Sequence, residues 1–449
     1  MKRNILWLLL FAILYFVPRT PYLLNPLHGE EGDFAEIFYT QPANPNYLLI
    51  GRIDNTNLFI PPEHPAIIYE ILSDYGLLWK AIINYQTLTI LALTFFVRLA
   101  FSMFLFLIVA IIILMILHRR ALFSLKDRIT LFVLVTVLAI TPPAMAISTS
   151  VQVDGSVGIL LAGLLAVALL GYRLKIYPAR TASIFVFISS LLFGLGKNEW
   201  SLALVLALLA TGSYLYITTR KNGDGQSFNA AWVLLGFIFA GLLLGNFISY
   251  LYDPENYLAG FNVMFRISKA STYNIISFGS ERLAFTYVHL LLLAFIAIAL
   301  IRAWKNSDYI LFSYFILGAT LYFAYFVTSW AIEPRYYAAS LIICLAGTVV
   351  AYGYLSGDKT RWILWGLSFV LLIVTCNQVV QDGRRIRVNL QLALQNNTNS
   401  QVAAIPPGCI PIMGMGEAFG QKFDFIADSL SPEDASRLAA KYNRSICTP

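Results

Sequence analysis

The run "LAFSMFLFLIVAIIILMIL" (residues 99–117) carries no charged residue, and its length approaches the roughly 20 residues of helix that cross a bilayer. Runs of this kind recur about eleven times. The candidate spans are the first helix, within "MKRNILWLLLFAILYFVPRTPYLL", followed by 98–117, 129–147, 155–172, 181–196, 200–217, 229–250, 284–301, 309–328, 336–355 and 361–380. A soluble protein of this size would alternate polar and apolar faces. Here 58% of residues are hydrophobic, 12% are charged and the mean hydropathy is +0.70. The expected fold class is an all-α polytopic membrane protein of about 11 transmembrane helices. The first apolar stretch lacks a small-residue cleavage site and is followed by many further spans, so it reads as a retained helix and not a secretory signal.

Orientation follows from the basic residues of the short loops. With the N-terminus in the cytoplasm, Lys2, Arg3, Arg119, Arg120, Lys126, Arg128, Arg173, Lys175, Arg180, Arg220, Lys221, Arg302, Lys305, Lys359 and Arg361 all fall inside. These 15 face only Asp127, Asp224, Asp308 and Asp358, and the other 20 of 24 acids lie outside with 16 basic residues. The net charge of +7 thus reports topology, an inside near +11 and an outside near −4, and gives no reason to expect a nucleic-acid partner. Three sizeable extracytoplasmic regions result: 25–97, 251–283 and the tail after 380. The domain reading is a transmembrane unit over 1–380 and a small extracytoplasmic C-terminal domain over 381–449.

Cys409 and Cys447 both fall in that tail, where an oxidising compartment would let them pair; Cys344 and Cys376 fall in spans. The "SPEDASRLAAKY" stretch of the tail reads as a helix capped by Ser431. The histidines His28, His64, His118 and His289 are scattered, no metal-ligand spacing is present, and no Gly-rich nucleotide loop follows a strand.

The first outer loop is the most charged part of the chain. Its opening, "HGEEGDFAEIFY", puts Glu30, Glu31, Asp33 and Glu36 within seven residues, and eight acids fall between residues 30 and 74. The loop is too apolar and aromatic for a disordered linker. The spacing of Phe34, Ile37 and Phe38, and a second stripe in "AIIYEILSDYGLLWKAIINY", predict two short helices along the membrane surface. On the first, Glu30 and Asp33 share a face with Glu31 beside them. A solvated acidic face at a helix N-terminus is the plainer reading of the same residues.

"EEGDFAEIFY", followed by an aromatic- and proline-containing segment and "PPEHPAIIYEIL", resembles the first outer loop of GT-C glycosyltransferases, a superfamily that includes protein O-mannosyltransferases and lipid A aminoarabinose transferases. The family's acidic pair after the first helix matches Glu30-Glu31, with Glu30 where Asp is usual. Its His-Pro-Pro-like turn matches His64-Pro65-Ala66, with Ala66 in place of the second Pro. The likeness continues in order through Arg98, Asp154 in "SVQVDGSVG", Lys197 in "LGKNEW" and Arg335-Tyr336 in "IEPRYYAAS", covering residues 1 to about 355.

The resemblance implies an inverting glycosyltransferase of a bacterial inner membrane. It would move a monosaccharide from a polyprenyl-phosphate donor in the membrane lipids to a glycan, lipid or exported-protein acceptor on the periplasmic or exterior side. Glu30, Glu31 or Asp33 would be the catalytic carboxylate. Arg98, Asp154, Lys197, Arg335, Tyr336 and His64 would bind donor phosphate and substrate, with Arg266, Lys269 and Arg282 as further cations. Carboxylates in some members hold a divalent cation, so Mg or Mn is an open cofactor here.

Plainer roles are open for each residue. Arg98 could snorkel, Lys197 could pair with Glu199 and Arg335 with Glu333 across a turn, Asp154 could cap the following helix and His64 could only shape the loop. Rival classes are a transporter or flippase of a lipid-linked sugar, which would carry charge at mid-membrane, and an O-antigen polymerase or ligase, whose large loop is usually late in the chain.

Overall fold

In a computed structural model of the chain the described residues are 2–25, 31, 51–53, 59–60, 66–83, 90–119, 121–222, 225–254, 257–258, 279–303, 308–328, 334–396, 409–410, 412–414 and 445–446. The helices are α1 (Lys2–Phe16), α2 (Thr20–Leu23), α3 (Ala66–Ile82), α4 (Ile90–His118), α5 (Leu125–Ala139), α6 (Pro142–Thr149), α7 (Gly158–Arg173), α8 (Ala179–Gly194), α9 (Asn198–Asn222), α10 (Gly225–Tyr252), α11 (Gly279–Ala303), α12 (Tyr309–Thr328), α13 (Ala338–Leu355) and α14 (Asp358–Asn396). A π-helical turn, Val153–Val157, leads into α7, and a 3-10 turn, Pro334–Tyr337, leads into α13.

Among the described residues, eight helices are long and apolar enough to cross a membrane, or nine if the bent pair α5/α6 is one span; Asn4–Phe16 and Arg180–Gly194 are shorter apolar helices. The chain is a multi-pass integral membrane protein. The expected span 129–147 is two helices, bent by 60° where Thr141, Pro142 and Pro143 interrupt the ladder. Pro142 and Pro143 provide no amide hydrogen for α5 to continue, yet suit the first turn of a new helix.

Burial separates core helices from rim helices. The membrane-length windows of α13 and of the π turn with α7 are 89% and 83% buried, against 22% for α14. α13 packs on α7, α11 and α12, and α7 also packs on α4 and α8. At the rim, α14 turns Trp362, Ile363 and Phe369 outward, as a lipid-facing surface requires. The α8–α10 pair is held by backbone proximity. A Cβ on Gly241 would lie 2.3 Å from the Phe187 carbonyl oxygen, and one on Gly245 would lie 2.2 Å from that of Leu191. Lipid tails give apolar helix faces no reason to prefer one another to lipid, so close approach over small residues supplies the contact.

α3 confirms the second helix expected in the first loop. It buries Ile68, Tyr69 and Leu72, and the Tyr75 hydroxyl donates to the Ala100 carbonyl at 2.8 Å. The first loop and the tail also depart from an all-α fold through short strands: β1 (Gly51–Ile53), β2 (Phe59–Ile60), β3 (Cys409–Ile410), β4 (Ile412–Gly414) and β5 (Ser445–Ile446). β1 pairs antiparallel with β2 and parallel with β4, and β3 pairs parallel with β5. α14 runs through position 380 without a break. The helix expected in "GDFAEIFY" (32–39) and the one beginning after Ser431 lie outside the described residues.

Candidate functional site

Six of the residues singled out from the sequence meet at one end of the bundle. Arg98, in the third turn of α4, forms a two-pronged pair with Glu31: its Nη1 is 3.0 Å from Oε1 and its Nη2 is 2.7 Å from Oε2. Arg98 also donates from Nε to the Asn25 carbonyl at 2.7 Å and from Nη1 to the Thr149 carbonyl at 2.6 Å. Glu31 accepts the Val151 amide at 3.1 Å. One planar guanidinium therefore ties the start of the first loop to the segment between α6 and the π turn, a geometry a lysine could not supply. The snorkelling role for Arg98 does not hold, since its side chain is 4% exposed.

Three residues past Val151, Asp154 sits in the π turn with Oδ1 2.6 Å from Lys197 Nζ. Lys197 precedes α9, so this partner comes from another element of the fold. The two side chains are 5% and 6% exposed. Taking each ion out of water costs several kcal/mol, about what close pairing returns, so such a pair is poor evidence for stability and invites a functional reading. Lys197 Nζ also lies 5.6 Å over the Tyr336 ring. Arg335, 7% exposed, lies 4.9 Å over the same ring and donates from Nη2 to the Tyr336 hydroxyl at 3.1 Å. Lys197, paired with Asp154, and Arg335 thus flank one phenol, and the Arg98–Glu31 pair joins them through the Val151 segment, two negative charges against three positive.

Aromatic packing fixes the 3-10 turn that presents Arg335 and Tyr336. Tyr325 stacks on Tyr336 with ring centroids 5.7 Å apart, and its hydroxyl accepts the Trp200 indole N–H at 2.9 Å. His289, fully buried on α11, donates from Nε2 to the Tyr337 carbonyl at 3.0 Å, which sets its tautomer. Beneath the α5/α6 break, buried Arg19 donates to Ser148 Oγ at 3.1 Å and to the carbonyls of Tyr15 at 3.0 Å and Ala139 at 2.5 Å. These carbonyls end α1 and α5, where the helix dipoles favour a cation. Burial lowers the pKa of Arg19 to about 10, so it remains charged at neutral pH. On the α14 side, burial and then the 2.6 Å bond to Asp382 raise the pKa of the Tyr22 phenol.

Arg19, His289, Trp200 and Tyr325 carry no sequence signal beyond their polarity in apolar surroundings. Glu30, Asp33, His64, Arg266 and Lys269 lie outside the described residues, and Arg282 falls on the first turn of α11. Cys409 begins β3, whose partner strand β5 ends one residue before Cys447 in the sequence; Cys447 lies outside the described residues. Among the described residues no group of three or more His, Cys, Asp or Glu is placed to hold a metal ion. The two described acids of the site each engage a protein cation, so this donor set does not fit a divalent ion.

Comparison with protein-family models, curated proteins and solved structures gives no match. The class the fold defines is a multi-pass helical membrane protein with a buried charged site at one bundle end.

Proposed function

We propose that this chain is a GT-C type, inverting glycosyltransferase that uses a polyprenyl-phosphate-linked monosaccharide and works on the extracytoplasmic side of the membrane. The observation that carries the reading is the convergence of Glu31, Arg98, Asp154, Lys197, Arg335 and Tyr336, drawn from positions 31 to 336, at one end of the bundle. A solvated acidic face does not account for it, because these groups are buried or half-buried and come from five segments of the fold.

In the proposed reaction the acceptor oxygen attacks the anomeric carbon while a loop-one carboxylate takes its proton. The bond from that carbon to the phosphate oxygen breaks, the electron pair leaves with polyprenyl phosphate, and the anomeric configuration inverts. Arg335 and Lys197 supply positive charge toward the departing phosphate. Glu31 is already committed to Arg98 and to the Val151 amide. Its role is to fix the chain at the position next to Glu30, which is left as the general base with Asp33 as reserve.

The test is to incubate purified protein with a panel of polyprenyl-phosphate sugars and an acceptor mixture and to measure release of polyprenyl phosphate. Glu30→Gln is expected to lower turnover by about a hundred- to ten-thousand-fold without unfolding the protein. Asp33→Asn and Glu36→Gln are compared under the same conditions. Near-normal turnover in all three removes the loop-one base, and absence of release with every donor removes the glycosyltransferase reading.

A further inference from the structure

The opposite end of the bundle holds two cations without acceptors. Arg119 follows α4 and Arg128 lies in the second turn of α5, so they flank the turn 119–124. Both are partly buried, the Nε of each is shielded from solvent without a hydrogen-bond partner, and neither side chain forms an ion pair among the described residues. The acid nearest in sequence is unavailable to them. Asp127 accepts from Ser124, from the Tyr352 hydroxyl at 2.6 Å and from Arg361 at 2.8 Å, while Asp358 also pairs with Arg361. Shielded guanidinium nitrogens are costly to leave unpaired.

The same turn exposes Leu122 at 58% and Leu125 at 46%, apolar side chains just beyond the apolar length of α4. Partly buried arginines with no counter-charge among the described residues, beside outward leucines, match a molecule that is anionic at its head and apolar just below it. We propose that the α4–α5 turn binds an anionic phospholipid, with Arg119 and Arg128 on the headgroup phosphate and Leu122 and Leu125 against the upper acyl chain. The site is independent of the proposed catalysis, since it lies at the other end of the bundle.

The experiment measures binding of phosphatidylglycerol to detergent-purified protein by native mass spectrometry, with phosphatidylcholine and inorganic phosphate as parallel arms. Wild type is expected to retain phosphatidylglycerol over phosphatidylcholine, and inorganic phosphate to compete weakly. Each arginine removed is expected to weaken binding about fivefold, so Arg119→Gln/Arg128→Gln weakens it about 25-fold. Arg119→Lys/Arg128→Lys keeps most of the affinity, and serves if the glutamine pair fails to fold. Unchanged retention in the glutamine pair, or at Lys359→Gln a loss equal to that of either single glutamine variant, overturns the site. Inorganic phosphate competing as well as the lipid overturns the lipid as its occupant.

Discussion

Asp127 and Asp154 each lie near the start of a helical segment, at opposite ends of one bundle, and each pairs with a cation from another element. Asp127 first completes its own helix: it closes a capping box with Ser124 at the start of α5, and only then reaches Tyr352 and Arg361. Asp308 does the same before α12, accepting the Leu311 amide at 3.0 Å as well as Arg173 and Tyr354. The cations here are partly open to water, Arg173 at 37% and Arg361 at 20%. At the other end Glu31 and Asp154 reach across the fold to cations only 4–5% exposed. Charges that cap helices in a half-wet setting build a bundle; charges paired in the dry with partners from distant segments indicate a site.

The most severe test of that contrast is Asp154→Asn, which leaves Lys197 buried without its counter-charge and is expected to cost about 3–5 kcal/mol, read as a loss of thermal stability in detergent. Asp154→Asn/Lys197→Met is expected to restore most of that stability while leaving turnover abolished. If the double variant is both stable and active, the pair belongs with the structural end. Next comes the proposed Cys409–Cys447 bridge, which closes a loop of 38 residues and contributes on the order of 3 kcal/mol. Protein purified without reductant is expected to show two alkylatable thiols after denaturation. Four would remove both the bridge and the assignment of the site end to an oxidising compartment.

Asp127→Asn is expected to cost about 2 kcal/mol, the sum of a lost cap and a weakened charge-assisted bond, with turnover unchanged because it lies at the structural end. The smallest effect is expected from Tyr336→Phe. It removes the hydroxyl that Arg335 bonds, costing about 1 kcal/mol, and lowers turnover more than stability. An equal fall in both would assign Tyr336 to packing.

How legible each part was in the sequence follows the same division. Spans such as 309–328 coincide with α12 because one-dimensional hydropathy is the quantity a bilayer selects. The break in 129–147 was written in Thr141-Pro142-Pro143, but a window average over apolar neighbours conceals it. The site's members were legible as charges near the ends of apolar runs. Their partners were not: the near neighbour Glu199 competed on paper with Asp154, which lies 43 positions before Lys197 and reaches it only in the folded bundle. Buried Arg19 has no sequence signature because its acceptors are mostly backbone carbonyls, which every residue carries. The strand pairings were illegible for want of length, two or three residues being too few to display alternation.

The parallel pairing of Gly51–Ile53 with Ile412–Gly414 joins an early segment of the chain to one of its latest. On a ribosome adding about 5–20 residues per second, tens of seconds separate the emergence of the two strands. During that interval the first of the two strands must wait with one edge unpaired. Biogenesis of this protein therefore has a vulnerable period set by translation speed, in which a membrane chaperone or an early stop codon would decide the fate of a chain whose helices are almost all inserted.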